Sequence, residues 1–502
     1  MPRSTRRASG ILLHPTSLPG DFGIGTLGRN AYRFIDQLRS AGQSVWQVLP
    51  LGPTGWGNSP YTTFSAFAGN PLMIDLPELV RVGDLTATEL PATGPSHGKV
   101  DFAMATQVLD EILPMATSRF FRQGRSKRMA DYECFCQKQA FWLNDYALFR
   151  AARGHFGHQP WTEWPAALCD RKHQALHQWG TTLADTIRQE KYLQFLFFEQ
   201  WMQLKGYANR QGVKLFGDMP IFVAQDSSDV WCNRELFRLD PQGNPSVVAG
   251  VPPDYFSRTG QRWGNPLYDW DAMIRNNFDW WCARIAMATD MFDLVRIDHF
   301  RGFAACWEIP AAEKTAINGR WRTVPGDRLF QALQARLGKL PLVAEDLGVI
   351  TEDVIALRDR WRFPGMCILQ FAFDGRPDNP YLPHNFQPDS VVFTCTHDNN
   401  TTLAWWRGLK PQERRRVCHY FGKQRCDMPW DLIRLAAASV ARLCIFPLQD
   451  VLALGGEARM NRPGVAGGNW DWQLESIDLP PEALQRLAEL THTFHRIETD
   501  SA

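Results

Sequence analysis

The sequence predicts an α/β chain folded as a (β/α)8 TIM barrel, with large inserted subdomains around the C-terminal face and no separate C-terminal domain. Three observations predict it: eight apolar runs end in polar or glycine clusters, helix-period segments lie between most of them, and three of the runs end in a carboxylate. A strand covered on both faces reads as a continuous hydrophobic run, and strands alternating with helices form a parallel sheet. A charge at the C-terminal end of such a strand sits at the rim where α/β enzymes place their chemistry.

The expected strands are 10–18, 45–51, 214–223, 292–298, 341–348, 365–373, 390–398 and 442–452. Asn30 to Ala41 places Phe34, Ile35, Leu38 and Ala41 on one helical face, and Gly42 follows as a stop. Helical patterns also cover 275–291, 327–337, 351–360 and 430–441, and 474–502 supplies one closing helix. An open doubly wound sheet is the alternative, weakened because no glycine-rich phosphate loop follows the first strand. Two stretches break the repeat. Residues 52–213 are too long for one crossover; about 52–190 reads as an inserted, mostly helical subdomain, with patterns at 138–152 and 181–207, before a barrel helix at about 190–211. Residues 224–270, rich in Gly, Pro, Asn and aromatics, read as an elaborated loop over the cleft, and unstructured loops of that length are uncommon unless functional. The whole, 1–502, is read as one catalytic barrel.

Composition excludes several classes. A net charge of +1 gives no electrostatic argument for nucleic acid or an anionic membrane. The apolar stretch GILL (10–13) stops at His14-Pro15, too short for a signal-peptide core, and no run reaches the roughly 18 apolar residues of a spanning helix. The 11 cysteines are scattered without a C-x-x-C pair, which reads as reduced thiols in a cytoplasmic protein. Trp56, Trp263 and Trp470 fall in Gly/Pro/Asn-rich segments, where aromatic rings around a cleft suit flat amphipathic ligands such as sugar rings.

The chemistry lies in FDLVRIDHF (292–300), PLVAEDLG (341–348) and SVVFTCTHD (390–398), which end in Asp298, Glu345 and Asp398. Strands four, five and seven of a barrel surround one cavity, so the three carboxylates converge. Paired carboxylates across a scissile bond are what glycosidic cleavage through an oxocarbenium-like transition state requires. Arg296, two residues before Asp298, shares its strand face, and a guanidinium so placed favours an ionised carboxylate, the form a nucleophile needs. Glu345 has no cation beside it in sequence; a carboxylate across the cleft raises its pKa, as a general acid needs. Asp398, beside His397, is the third carboxylate, and His299 and His397 are donors to sugar hydroxyls. A divalent ion is the competing use of two histidines and several aspartates, but the first strand offers a single His14 and no H-E-x-x-H occurs, so no metal is expected.

These residues resemble those of the 4-α-glucanotransferases, the amylomaltase or disproportionating-enzyme family of the α-amylase clan. The resemblance spans nearly the whole chain: GILLHPTSLPG (10–20), WQVLPLGPTG (46–55), SPYTTFSAFAGNPL (59–72), GDMPIFVAQDSSDVW (217–231), GVPPDYFSRTGQRWGNPLYDW (250–270), VRIDHFRGF (295–303), VAEDLG (343–348), THDNNT (396–401), RMNRPG (459–464) and GNWDW (468–472). It implies a retaining, cofactor-free cytoplasmic enzyme that moves a segment of an α-1,4-glucan donor, such as a maltooligosaccharide or amylose, to glucose or another glucan. Carried over position by position, it makes Asp298 the nucleophile, Glu345 the acid/base and Asp398 the transition-state stabiliser. It places Arg296, His299, His397, Tyr61 and Asp218 around the reacting sugar, with Ser59 beside Tyr61. Asp254, Tyr255, Phe256, Gln261 and Trp263 fall on a mobile loop over the cleft, and Asn469 on a second rim loop. Without the resemblance the residues reach a retaining carbohydrate-active barrel, leaving open an α-glucan hydrolase of the same clan or a non-catalytic glycan-binding barrel.

Overall fold

The computed structural model describes residues 7–92, 94, 98–124, 126–253, 257–465 and 467–497. The first six strands are β1 (Ala8–Leu12), β2 (Val45–Gln47), β3 (Lys214–Met219), β4 (Val247–Val251), β5 (Gln261–Pro266) and β6 (Leu294–Ile297). The next six are β7 (Ala305–Pro310), β8 (Arg320–Thr323), β9 (Leu342–Ala344), β10 (Gly365–Ile368), β11 (Ser390–Phe393) and β12 (Leu443–Pro447). Eight of them form one parallel sheet in the order β10-β11-β12-β1-β2-β3-β6-β9. The two ends of that order meet: Ala344 N donates to Pro364 O at 2.9 Å, and Met366 N to Asp346 Oδ1 at 2.8 Å. The sheet therefore closes, and the architecture is a (β/α)8 barrel.

All eight expected barrel strands are present, but each stops short of its apolar run. β9 takes three residues of the run 341–348, and β11 ends at Phe393, five residues before Asp398. The tilted ladder of a closed barrel needs only a short band, and the rest of each run turns out over the rim. Asp298 and Glu345 are thus the first residues after β6 and β9, and Asp398 sits within a loop.

The helix Arg29–Ser40 buries Ala31, Phe34, Ile35 and Leu38, and Gly42 past its end has φ 70°, the left-handed conformation that suits glycine. The 275–291 pattern is two helices, Trp270–Arg275 and Asp279–Met291, parted where Asn277 and Phe278 take φ near 55°. Between β2 and β3 lie the helices Phe102–Arg122, Lys127–Lys138, Ala140–His155, His173–Thr182 and the 27-residue Ala184–Arg210. The last buries Leu196, Phe197, Trp201 and Leu204 and packs on β3. Among the described residues, no helix is long and apolar enough to cross a membrane.

Residues 224–270, read from sequence as a loop, contain β4 and β5. These pair antiparallel and continue through β7 and β8 in the order β5-β4-β7-β8. Their sequences hide them: β5 (QRWGNP) carries Gly264 at φ 85° and Pro266, and β8 (RWRT) is exposed throughout. This small sheet joins the crossover after β3 to the crossover after β6.

Candidate active site

The neighbouring strands β3, β6 and β9 set the centre of the site. Asp218 stands opposite Arg296, and Ile297 opposite Ala344, so Asp218, Arg296, Asp298 and Glu345 come together at one end of the barrel. Arg296, 4% exposed, is the hub. Its Nη1 donates to Asp218 Oδ1 at 2.8 Å and Oδ2 at 2.7 Å, and its Nη2 to Asp298 Oδ1 at 2.8 Å. One guanidinium thus bridges two carboxylates, Nη1 shared between the oxygens of Asp218 and Nη2 on Asp298, and fixes the orientation of both. Burial raises Asp218 above the ordinary carboxylate range against the pull of Arg296, and Asp218 Oδ2 also accepts the Tyr61 hydroxyl at 2.7 Å.

Glu345 is half-buried and held by two backbone donors, His299 N to Oε2 at 2.6 Å and Leu347 N to Oε1 at 2.9 Å. Burial, ahead of every charge, raises its pKa from 4.5 to about 8; the Arg296 charge pulls it down, and the Asp298 charge adds to the rise. The sequence reading assigned that rise to a neighbouring carboxylate; burial is the larger cause. The next residue, Asp346, faces away and accepts from Arg358 and Met366 N.

His299 follows Asp298 with φ 52° and ψ 50°, which turns the backbone so that its N–H reaches Glu345. Its ring lies edge-on to Trp263, centroids 4.8 Å apart, with Nε2 buried and unpartnered; burial lowers its pKa to about 4. It is thus held neutral, with a free ring nitrogen at the site.

Asp398 is reached from the other side of the barrel. Its Oδ1 accepts from Asn461 Nδ2 at 2.6 Å and lies 3.4 Å from His397 Nε2, while Arg459 donates to its carbonyl at 2.7 Å. Tyr61 stacks on His397, centroids 5.1 Å apart and planes 17° from parallel, and Trp470 packs against both rings. Tyr61 thereby links the two halves, touching Asp218 with its hydroxyl and His397 with its face. Asn461 and Arg459 were given no role from sequence; the signal available was the motif RMNRPG, whose distance from any strand hid its destination. Trp470, expected on a loop, is 6% exposed and buried behind Tyr61.

The remaining candidates lie farther out. Ser59 accepts from Tyr61 N at 3.3 Å and shapes its turn. Gln261 opens β5 and accepts from Trp263 Nε1 at 3.1 Å; Trp263 itself is 38% exposed. Asn469 braces its own rim loop, accepting from Arg462 N at 2.9 Å and donating to Val465 O at 2.8 Å. Asp254, Tyr255 and Phe256 lie outside the described residues. Among the described residues, no three His, Cys, Asp or Glu side chains are gathered to hold a metal ion.

A family model described as 4-alpha-glucanotransferase matches residues 13–478. A 4-alpha-glucanotransferase of Thermus thermophilus is 49% identical over 499 residues, 98% of this chain and 99% of that one. One from Synechocystis sp. is 48% identical over 497 residues, covering 98% of each chain. An amylomaltase from Streptococcus agalactiae, solved in complex with acarbose, superposes with a TM-score of 0.94 at 38% identity, covering 98% of this chain and 100% of that one.

Proposed function

Since the chain belongs to the 4-alpha-glucanotransferase family and is an enzyme that transfers α-glucan segments, we propose that Asp298, Glu345 and Asp398 carry that transfer by retaining double displacement. Asp298 attacks the anomeric carbon of the donor while Glu345 gives its proton to the departing glycosidic oxygen. The shortened glucan leaves, and a covalent glycosyl-Asp298 ester remains. The 4-hydroxyl of an acceptor then loses its proton to Glu345 and attacks the same carbon, which releases Asp298. Two inversions at one carbon restore the α configuration.

One observation carries the assignment: two adjacent carboxylates sit in opposite environments. Asp298 is ion-paired to Arg296, whereas Glu345 is raised to about 8 and holds its proton at neutral pH. Asp398 steadies the positive charge that develops on the sugar ring, with Asn461 fixing its carboxyl. His299, held neutral, binds the reacting sugar together with His397 and the Tyr61 ring.

We propose α-1,4-glucans as donors and glucose or a second glucan as acceptor; acarbose in the Streptococcus agalactiae structure supports a glucan-shaped cleft. We place the enzyme in the cytoplasm on its cysteine usage, since all 11 are free thiols. Incubation with maltotriose tests the function. Chain lengths should redistribute with no rise in reducing ends; a rise in reducing ends makes the protein a hydrolase, and no change makes it a binding protein.

A further inference from the structure

We infer that Asp450 is a positioning residue for Asp398, acting through the two feet of the loop that carries it. This rests on the reading of Asp398 as the stabilising carboxylate. After β12 the chain enters the short helix Leu448–Val451, which holds Asp450 at 1% exposure. Its Oδ2 accepts from Thr394 Oγ1 at 2.6 Å, Thr402 Oγ1 at 2.6 Å and Cys395 Sγ at 3.4 Å, and its Oδ1 from Thr402 N at 2.7 Å.

These donors bracket the segment 394–402 at both ends. β11 has already ended at Phe393, so the ladder no longer fixes the backbone that presents His397 and Asp398. Within the loop, Asn399 Oδ1 accepts from Thr396 N and Oγ1, both at 2.9 Å, which shapes the tip; Asn461 N to His397 O at 3.1 Å and Arg459 to Asp398 O at 2.7 Å steady the tip from outside, and Asp450 holds its feet. A carboxylate is the group that suits this place, because it presents acceptor sites alone and can take four donors at once. An amide there would set its NH2 either against the Thr402 N–H or against the two hydroxyls and the thiol, so at least one donor would lose the acceptor it now has. A transition-state contact loses most of its effect when displaced by about 1 Å, so a loop carrying such a contact needs rigid feet.

A double-mutant cycle separates positioning from general support of the barrel. The rates of maltotriose disproportionation are measured for Asp450→Asn, Thr402→Val and Thr402→Ser, each alone and combined with Asp398→Asn. Asp450→Asn and Thr402→Val should each lower kcat by about tenfold or more with KM within about twofold, and in the Asp398→Asn background their further loss should shrink to less than about threefold. Thr402→Ser, which keeps the hydroxyl, should retain the rate. If Asp450→Asn does not fold, Thr402→Val against Thr402→Ser decides the question. Full loss persisting in the Asp398→Asn background, or kcat unchanged in Thr402→Val, overturns the inference. A normal kcat in Asp398→Asn alone overturns the reading beneath it as well.

Discussion

Replacing Glu345 by Gln should abolish ordinary turnover and, at the same time, shift the folded state's stability relative to wild type progressively upward as pH rises. The folded protein holds the Glu345 proton up to about pH 8, while the unfolded chain releases it near 4.5. Between those two values the unfolded state binds fewer protons, so wild-type stability falls as pH rises, and it levels off above about 8. At about 1.4 kcal/mol per tenfold change, the whole window is worth at most about 5 kcal/mol, less whatever Arg296 and Asp298 share by readjusting. Gln carries no proton to lose and removes that slope. It also leaves one of the two backbone donors, His299 N or Leu347 N, facing an amide nitrogen, a loss of about 1–3 kcal/mol at every pH. The sign at any one pH is therefore secondary and the slope is the test. Urea unfolding of both proteins from about pH 5 to about pH 9 should show the gap, variant minus wild type, rising by a few kcal/mol and flattening near pH 8. The wild-type kcat/KM should fall above the same pH, as Glu345 loses the proton it donates. A gap that stays flat or narrows with pH, or a rate that does not fall on the alkaline side, refutes the assignment of a raised, protonated Glu345.

Asp298→Asn should lower kcat by several orders of magnitude with glucan binding retained, and a fluoro-sugar donor in wild type should label Asp298 by mass spectrometry; a label elsewhere removes it as nucleophile. Arg296→Met should destabilise by about 3–5 kcal/mol in urea unfolding, because it strands two carboxylates at a hub that is 4% exposed, and kcat should fall with it. Activity should survive exhaustive chelation, since the sequence holds no ligand set with convincing metal spacing; a loss restored by one divalent ion would reverse that expectation. On the sequence expectation that Tyr255 and Phe256 cover the cleft and keep water from the intermediate, Tyr255→Ala with Phe256→Ala should raise the ratio of glucose released by hydrolysis to glucan redistributed. An unchanged ratio with reduced stability alone would leave those rings a packing role.

Much of the centre was legible because its chemistry is written beside strands. Apolar runs led to β3, β6 and β9, and the period of two gave Arg296 to Asp298, a contact the structure makes even though Asp298 stands one residue past β6. What was illegible had no local pattern. Asn461 meets Asp398 across 63 positions, and Asp450 meets Thr394 across 56, so nothing near either residue announced its partner. The small sheet escaped for a related reason: β4 finds β7 only after the barrel has brought two crossovers together, and glycine, proline and arginine mask the alternation of its strands.

The seam between β9 and β10 has a consequence for how the enzyme breathes. Among the described residues, one backbone hydrogen bond crosses it, Ala344 N to Pro364 O, and a side chain, Asp346, stands in for the next rung by taking Met366 N. Pro364 has no N–H to return. Every other junction of the barrel is a ladder of three or more paired residues. Local opening follows the thinnest cross-section of a structure, so amide exchange at Ala344 and Met366 should outpace that along β1 and β12. Glu345 sits directly on this seam. Heating should therefore loosen Glu345, the proposed proton donor, while the rest of the ring still holds, and the enzyme should fall silent at a temperature where it has not yet come apart.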